Sequence, residues 1–332
     1  MELRKIQITG GSSYIVSLPK DWIENQGINK GDQVALYPQP DGSLRISSSL
    51  VEEESSTTKI IEVDKDSNPR HIFRLLIASY IVGYSQIIVT AKKNITLPIH
   101  ECVSDFTQRM IGPEIVEESS KSITIKDLLN PIEMPFEKTA RRMHLLVTNM
   151  MTKVMTALEN REPSLASVVR TRDIDVNRLH WLVGRQLNLI VQNSSLLRKM
   201  GTTQENAFFY YMITRFFERI GDHIVVISDQ ILQLIRDEVP TSLNKRIAQA
   251  SDYAMSLVSD SIDAWFKTDL ETAQKVIDSL EQLRVHYDRI KTFKGPVLSV
   301  ESSVALDRLA ESVGRIGAYA TDISEIVIDN LV

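Results

Sequence analysis

A chain of 332 residues, 43% hydrophobic and 24% charged, has room for two or three globular domains and is too apolar to be disordered. Its formal charge of -5 excludes a protein that meets nucleic acid or an anionic membrane with its whole surface, so any such contact needs a local patch. A single cysteine, Cys102, excludes an internal disulfide framework and a thiolate metal site within one chain, and a reducing cytoplasm is the expected location.

The first nine residues are charged and strand-like rather than a basic segment leading into an apolar run, which argues against a signal peptide. Apolar stretches such as 75–82 break long before the roughly 18 residues a membrane span needs. No direct membrane insertion is expected, and any work at a membrane falls to a partner.

Residues 1–48 read as strands at 3–9, 14–18, 33–38 and 43–47, a short helix at 19–26, and turns at Gly10-Gly11, Asn29-Lys30-Gly31-Asp32 and Asp41-Gly42. Pro19 suits the first turn of the helix, where its missing N–H costs nothing. So few residues cannot bury a self-sufficient core, and dimerisation is the natural remedy. Serine and glutamate without periodicity mark 49–58 as a linker.

Residues 59–130 alternate between strand and helix: strands at 59–63, 86–90, 114–118 and 122–126, helices at 69–82 and 100–110. This small α/β unit carries no recognisable chemistry, and its two histidines, His71 and His100, suit surface or packing roles.

From 131 to 332 apolar residues recur three and four apart, the mark of amphipathic helices. Six are expected, at 135–160, 164–199, 203–237, 242–267, 270–291 and 302–330, with breaks at Arg161-Glu162-Pro163, Gly201, Pro240, Asp269 and Gly295-Pro296. They form two sets of three, 131–239 and 240–332. Arg219-Ile220-Gly221 recurs as Arg315-Ile316-Gly317 in the last helix of each set, which points to a duplication.

In the third helix, Glu218 and Asp222 stand one turn apart, off an apolar seam of Ile213, Phe216, Ile220, Ile224, Ile227 and Ile231. Asp229 extends the acidic stripe. On the second helix Asp173 and Asn177 repeat the spacing. Such a set suits a hard cation that takes oxygen ligands, and it suits equally a solvated face paired with Arg215 or Arg219. In the second set Gly314 and Ala318 replace the acid pair and offer no ligand, while Asp278 and Gln282 have the spacing of a remnant pair. The aromatic run Phe208, Phe209, Tyr210, Tyr211, Phe216 and Phe217, and Met143, Met150, Met151 and Met155, suit core packing.

Two resemblances organise these readings. The string Arg4-Lys5-Ile6-Gln7-Ile8-Thr9-Gly10, then Tyr14-Ile15-Val16-Ser17-Leu18-Pro19-Lys20-Asp21-Trp22, Gly31-Asp32-Gln33-Val34 and Asp41-Gly42-Ser43-Leu44 resembles the AbrB-like swapped-hairpin family. That resemblance implies two interleaved chains that present basic residues to DNA, here Arg4, Lys5, Lys20 and Arg45. Residues 1–48 nevertheless balance five basic side chains (Arg4, Lys5, Lys20, Lys30, Arg45) against five acidic (Glu2, Asp21, Glu24, Asp32, Asp41).

Phe217-Glu218-Arg219-Ile220-Gly221-Asp222-His223, with the two sets of three helices, resembles PhoU-type phosphate-signalling proteins. This implies a divalent or trivalent metal ion held at the first bundle by Glu218, Asp222, Asp173 and Asn177, with Asn177 in the place of a usual carboxylate. His180 and His223 are possible additional ligands.

The expected fold is multidomain: a small all-β swapped-hairpin dimer domain, a small α/β unit, then an all-α pair of three-helix bundles. The expected function is a phosphate uptake regulator, a homodimer or higher assembly that binds promoter DNA and senses phosphate status through its helical part. The alternative is an adaptor that negatively regulates a phosphate transporter through its ATPase subunit, or a sensor kinase, with the first domain only dimerising. No phosphate-cradling glycine loop, nucleophile elbow or His-Glu-x-x-His helix occurs, so no enzyme is expected.

Overall fold

The computed structural model describes residues 3–38, 42–48, 57–293 and 299–332, in two compact units, Met1–Ser56 and Thr57–Val332. The turn at Asp41, the break at Gly295-Pro296 and linker residues 49–56 lie outside the described residues. Thr58, expected in the linker, already pairs with Gln86 in a sheet.

The first unit holds two separate hairpins. Strand β1 (Gln7–Thr9) pairs antiparallel with β2 (Ser13–Ile15), helix α1 spans Lys20–Asn25, and β3 (Ala35–Pro38) pairs antiparallel with β4 (Leu44–Ser47). None of its described residues is buried. Ile6 is 69% exposed, Ile8 66% and Tyr14 72%.

The second unit opens with a four-stranded sheet of β5 (Thr58–Val63), β6 (Gln86–Ala91), β7 (Pro113–Glu118) and β8 (Ser122–Asp127), in the order β5-β6-β8-β7. Only β5 and β6 run parallel, because helix α2 (Pro69–Val82) carries the chain between them. Asn68 caps α2 by accepting from the Arg70 N–H, and Gly83, at φ +107°, ends it in the left-handed conformation. Helix α3 (Leu97–Arg109) covers the same face, and Leu76, Val89, Val103, Phe106 and Ile123 form the core between them.

Helix α4 (Phe136–Asn160) begins the helical region, followed by α5 (Pro163–Ser167), α6 (Val169–Gln192), α7 (Ser194–Met200) and α8 (Gln204–Arg236). The second set is α9 (Thr241–Lys267), α10 (Leu270–Asp278), α11 (Leu280–Lys291) and α12 (Val300–Leu331). The middle member of each set, expected as one helix, is therefore broken. The first breaks at Val168 and Asn193, and the second at Ser279.

Thr203 and Ser299 cap the two longest helices, each accepting from an N–H three residues on. One continuous core runs through both sets, with Met143, Met150, Phe217, Ile220, Val258, Leu283, Val313 and Ile316 all fully shielded or nearly so. Phe217, rather than the expected Phe216, is the aromatic member of the α8 seam; Phe216 is half-buried and Phe208 is 50% exposed.

The sheet and the helices are not independent. Arg185 of α6 is buried, pairs with Asp127 Oδ2 at 2.7 Å and donates to the Tyr80 carbonyl at 2.6 Å. Asn188 and Gln192 donate to the carbonyls of Ile81 and Val82. The polar side of α6 thus satisfies the last carbonyls of α2, which the helix itself leaves unpaired. Burial pushes the Asp127 carboxyl up despite the guanidinium beside it.

Candidate functional site

Helix α6 lies against α8 where α8 has no side chain. A Cβ on Gly221 would stand 3.0 Å from Asp173 Oδ1 and 3.6 Å from Val176 Cγ1. A glycine within a helix costs about 1 kcal/mol against alanine, and here close helix approach offsets it. Gly221 falls within the turn between Glu218 and Asp222, so Asp173 meets the acid pair across the helix contact.

The electrostatics reflect this meeting. Burial first, then the Asp222 charge, pushes the Asp173 carboxyl up to about 6, although a hydrogen bond from Asn177 Nδ2 at 3.0 Å partly offsets them. Glu218 is likewise raised, by burial and then by Asp222. Asp173 Oδ1, Asn177 Oδ1 and Glu218 Oε2 are all buried without a hydrogen-bond partner. Oxygen atoms so placed are costly unless a proton or cation joins them.

The competing reading of this face also has support. Arg219 lies 3.6 Å from both Glu218 and Asp222, and Arg215 lies 3.5 Å from Glu218. Asp229 is held by Arg170 of α6, whose Nη2 donates to both carboxylate oxygens at 2.7 Å. Among the described residues no three His, Cys, Asp or Glu side chains converge as a metal site. The donor set is nevertheless all oxygen and suits a hard cation, and its orphaned atoms are those such an ion would join.

The histidines point elsewhere. His180 is buried, stacks on Tyr211 and lies 3.3 Å from Thr214 Oγ1; burial first, then Arg215 and Arg219, pull its pKa down to about 4. His223 packs near Tyr319 of α12 and is lowered by burial, then by Arg315. His100 pairs with Glu118 at 2.7 Å, and His71 is exposed.

In the second set the same helix approach occurs with other residues. A Cβ on Gly317 would meet Leu283 Cδ2 at 2.0 Å and Leu280 Cδ1 at 3.6 Å. Matching Gly317 to Gly221 places Leu280 where Asp173 stands and Arg284 where Asn177 stands. Asp278 and Gln282 are not the remnant pair that their spacing suggested. Gln282 turns to α9, accepting from the Tyr253 hydroxyl at 3.1 Å, and Asp278 is exposed.

In the first unit Arg4, Lys5, Lys20 and Arg45 are all exposed. Arg4 and Lys5 lead into β1, and Arg45 faces Tyr37 across the second hairpin. Lys20 pairs with Glu24 at 3.4 Å.

A small β unit, a four-stranded sheet and two matched sets of helices, with an acid cluster at one helix contact, define a multidomain protein of helical-repeat type. Comparison makes this specific: the PhoU domain family matches residues 140–231 and 247–327, and the chain belongs to that family. A second family, described as antidote-toxin recognition MazE, bacterial antitoxin, matches residues 7–50.

The phosphate-specific transport system accessory protein PhoU homolog of Caulobacter vibrioides, from two strains, is 24% identical over 191 residues. The match covers 56% of this chain and 82% of the relative. PhoU from Pseudomonas aeruginosa, a crystal structure, aligns at 18% identity with a TM-score of 0.49, over 60% of this chain and 97% of that one. No helix among the described residues is long and apolar enough to cross a membrane.

Proposed function

We propose that this chain is a homodimeric transcription regulator of phosphate uptake. Its first unit pairs with that of a second copy to bind promoter DNA, and its helical repeats hold a cation and report phosphate status. The observation that carries the reading is the first unit's lack of any buried described residue, with Ile6, Ile8, Tyr14, Leu36 and Leu44 more than half exposed. Isolated two-stranded hairpins are marginal in water, so this surface needs a cover. The family match at 7–50 supports a second copy as that cover, and the phosphate role follows the naming of the Caulobacter relatives. Cytoplasmic placement accords with both.

Arg4, Lys5, Lys20 and Arg45 would contact phosphates, a role that needs exposure and little else. Asp173, Glu218 and Asp222, with the Asn177 carbonyl, would hold the cation. A bound cation there would supply positive charge to Asp173 Oδ1 and Asn177 Oδ1, which lack a partner, and would compete with Arg215 and Arg219 for Glu218 and Asp222.

A second reading is favoured by charge. Residues 1–48 balance five basic against five acidic side chains, and Lys20 is already paired with Glu24. An adaptor that docks on a phosphate transporter's ATPase subunit or on a sensor kinase needs the first unit only for pairing.

One experiment separates them. Full-length protein is titrated onto its own promoter region across 50–300 mM salt, beside sedimentation to fix its assembly. The proposal expects a dimer whose DNA affinity falls steeply with salt, with Lys5→Ala lowering the slope by about 1. A dimer that ignores DNA at the lowest salt leaves the adaptor, and a stable monomer removes both readings.

A further inference from the structure

The second repeat carries a groove of about 540 Å³ at the place where the first repeat carries its acids. The register fixed by the two glycines shows how it arises. Gly314 stands for Glu218, Ala318 for Asp222 and Leu280 for Asp173, so three carboxylates have become an apolar floor. Tyr287 stands for His180. Its ring packs against α12 where a Cβ on Gly314 would come 3.0 Å away, which only glycine leaves open.

Around this floor three basic side chains, Arg284, Lys291 and Arg315, alternate with three carboxylates, Glu281, Asp288 and Glu311. Arg284 replaces Asn177 and is 62% exposed; its nearest carboxylates, Asp288 and Glu281, lie 3.9 and 4.0 Å away, too far for hydrogen bonds. Lys291 sits 6.0 Å from the Tyr287 ring centre, and Arg315 the same distance from that of Tyr319. Neither has a carboxylate within ion-pair distance among the described residues. Glu311 also borders the groove. An incoming dianion with oxygens spaced for a guanidinium fork competes readily with such loose, exposed pairs.

We propose that this groove binds a nucleoside phosphate. The phosphate would lie among Arg284, Lys291 and Arg315, and the base would lie on Leu280, Ala318 and Tyr287. The volume decides against a bare phosphate ion, which would leave the apolar floor wet; grooves of this size suit ligands with an aromatic part. The groove uses none of the residues assigned above to a cation or to DNA, so it stands or falls apart from the function proposed above.

The test is calorimetric titration of the full-length protein with adenosine and guanosine 5′-monophosphates and the corresponding triphosphates, beside adenosine, guanosine and inorganic phosphate. At least one nucleotide is expected to bind no less than tenfold more tightly than its nucleoside and than phosphate. Arg284→Glu is expected to weaken it tenfold or more. Ala318→Glu, which fills and recharges the floor, should do the same with the helical circular dichroism unchanged, and it decides the matter if R284E does not fold. Absence of nucleotide binding at millimolar concentration, equal affinity for inorganic phosphate, or full affinity in A318E would each overturn the proposal.

Discussion

The two helical repeats share a frame and differ in what they display on it. In both, a glycine in the last helix admits the middle helix to close contact, with Gly221 against Asp173 and Val176 and Gly317 against Leu280 and Leu283. Val176 in the first pair and Leu283 in the second are fully buried and pack inward. The other positions on this turn reach the surface, where Glu218 and Asp222 in one repeat correspond to Gly314 and Ala318 in the other. Packing therefore fixes the backbone approach and leaves the chemistry above it free to diverge. An acid cluster and a groove of mixed charge can then stand on equivalent turns of one protein.

The largest expected effect tests whether the repeats share their core equally. Phe217 and Val313 occupy matching positions, and both are fully buried. Phe217→Ala removes a ring from the contact between α4, α6 and α8 and should cost about 3–5 kcal/mol in urea unfolding. Val313→Ala removes two methyl groups and should cost roughly 2 kcal/mol. Equal losses would mean that the larger side chain of the first repeat adds nothing to stability at this position.

Acid should also distinguish the repeats. His180 is buried with a pKa near 4, against 6.5 for the free side chain. A depressed histidine must stay neutral in the fold, so its contribution is complete above pH 6.5 and disappears as pH falls through 4. The difference amounts to about 3 kcal/mol, from roughly 1.4 kcal/mol per unit. His180→Gln should flatten the decline of urea stability between pH 7 and pH 4.5. Tyr287, its counterpart, has no charge to gain there, so Tyr287→Phe should leave the decline as it was.

The glycines sharpen the comparison of the frames themselves. Gly317→Ala sets a methyl 2.0 Å from the end of Leu283, which must move within a closed core, and a loss of about 2 kcal/mol is expected despite the better helix former. Gly221→Ala meets Asp173 Oδ1 at 3.0 Å, and a carboxylate at the edge of the core can swing aside. Its urea midpoint should shift by less than half as much. A larger shift at Gly221 would show that Asp173 is held rigidly.

Much of this was legible from spacing. The three-and-four pattern placed the long helices, and Arg-Ile-Gly at 219–221 and 315–317 located the glycine that sets each helix contact. The α/β unit was legible too, because Pro69 and Gly83 mark both ends of α2. What spacing could not supply was the partner of a side chain on another element. Asp278 and Gln282 have the acid-pair interval, yet the break at Ser279 rotates them away, and only the contact of Leu280 and Leu283 with Gly317 reveals the true register. The Arg185–Asp127 pair joins residues far apart in sequence, and neither residue sits in a pattern that announces it. The first unit was the more legible part: its order of strands was readable, and its short length already implied the want of a core that the lack of any buried described residue shows.

A further effect of similar size bears most directly on the acid cluster. A cation that binds the folded chain alone raises its stability by RT ln(1 + [L]/Kd), about 1.4 kcal/mol at tenfold excess over Kd. Thermal unfolding with manganese or ferrous ion should therefore shift upward in the unaltered protein. It should not shift in Glu218→Gln, which keeps the size of the side chain and removes its charge. Arg284→Glu adds an acid at the position matching Asn177 but leaves Gly314 and Ala318 without ligands, so no new shift should follow from it. If E218Q retains the whole response, the acids at α6 and α8 are a solvated face held by Arg215 and Arg219, and the two repeats differ in surface charge without differing in metal chemistry.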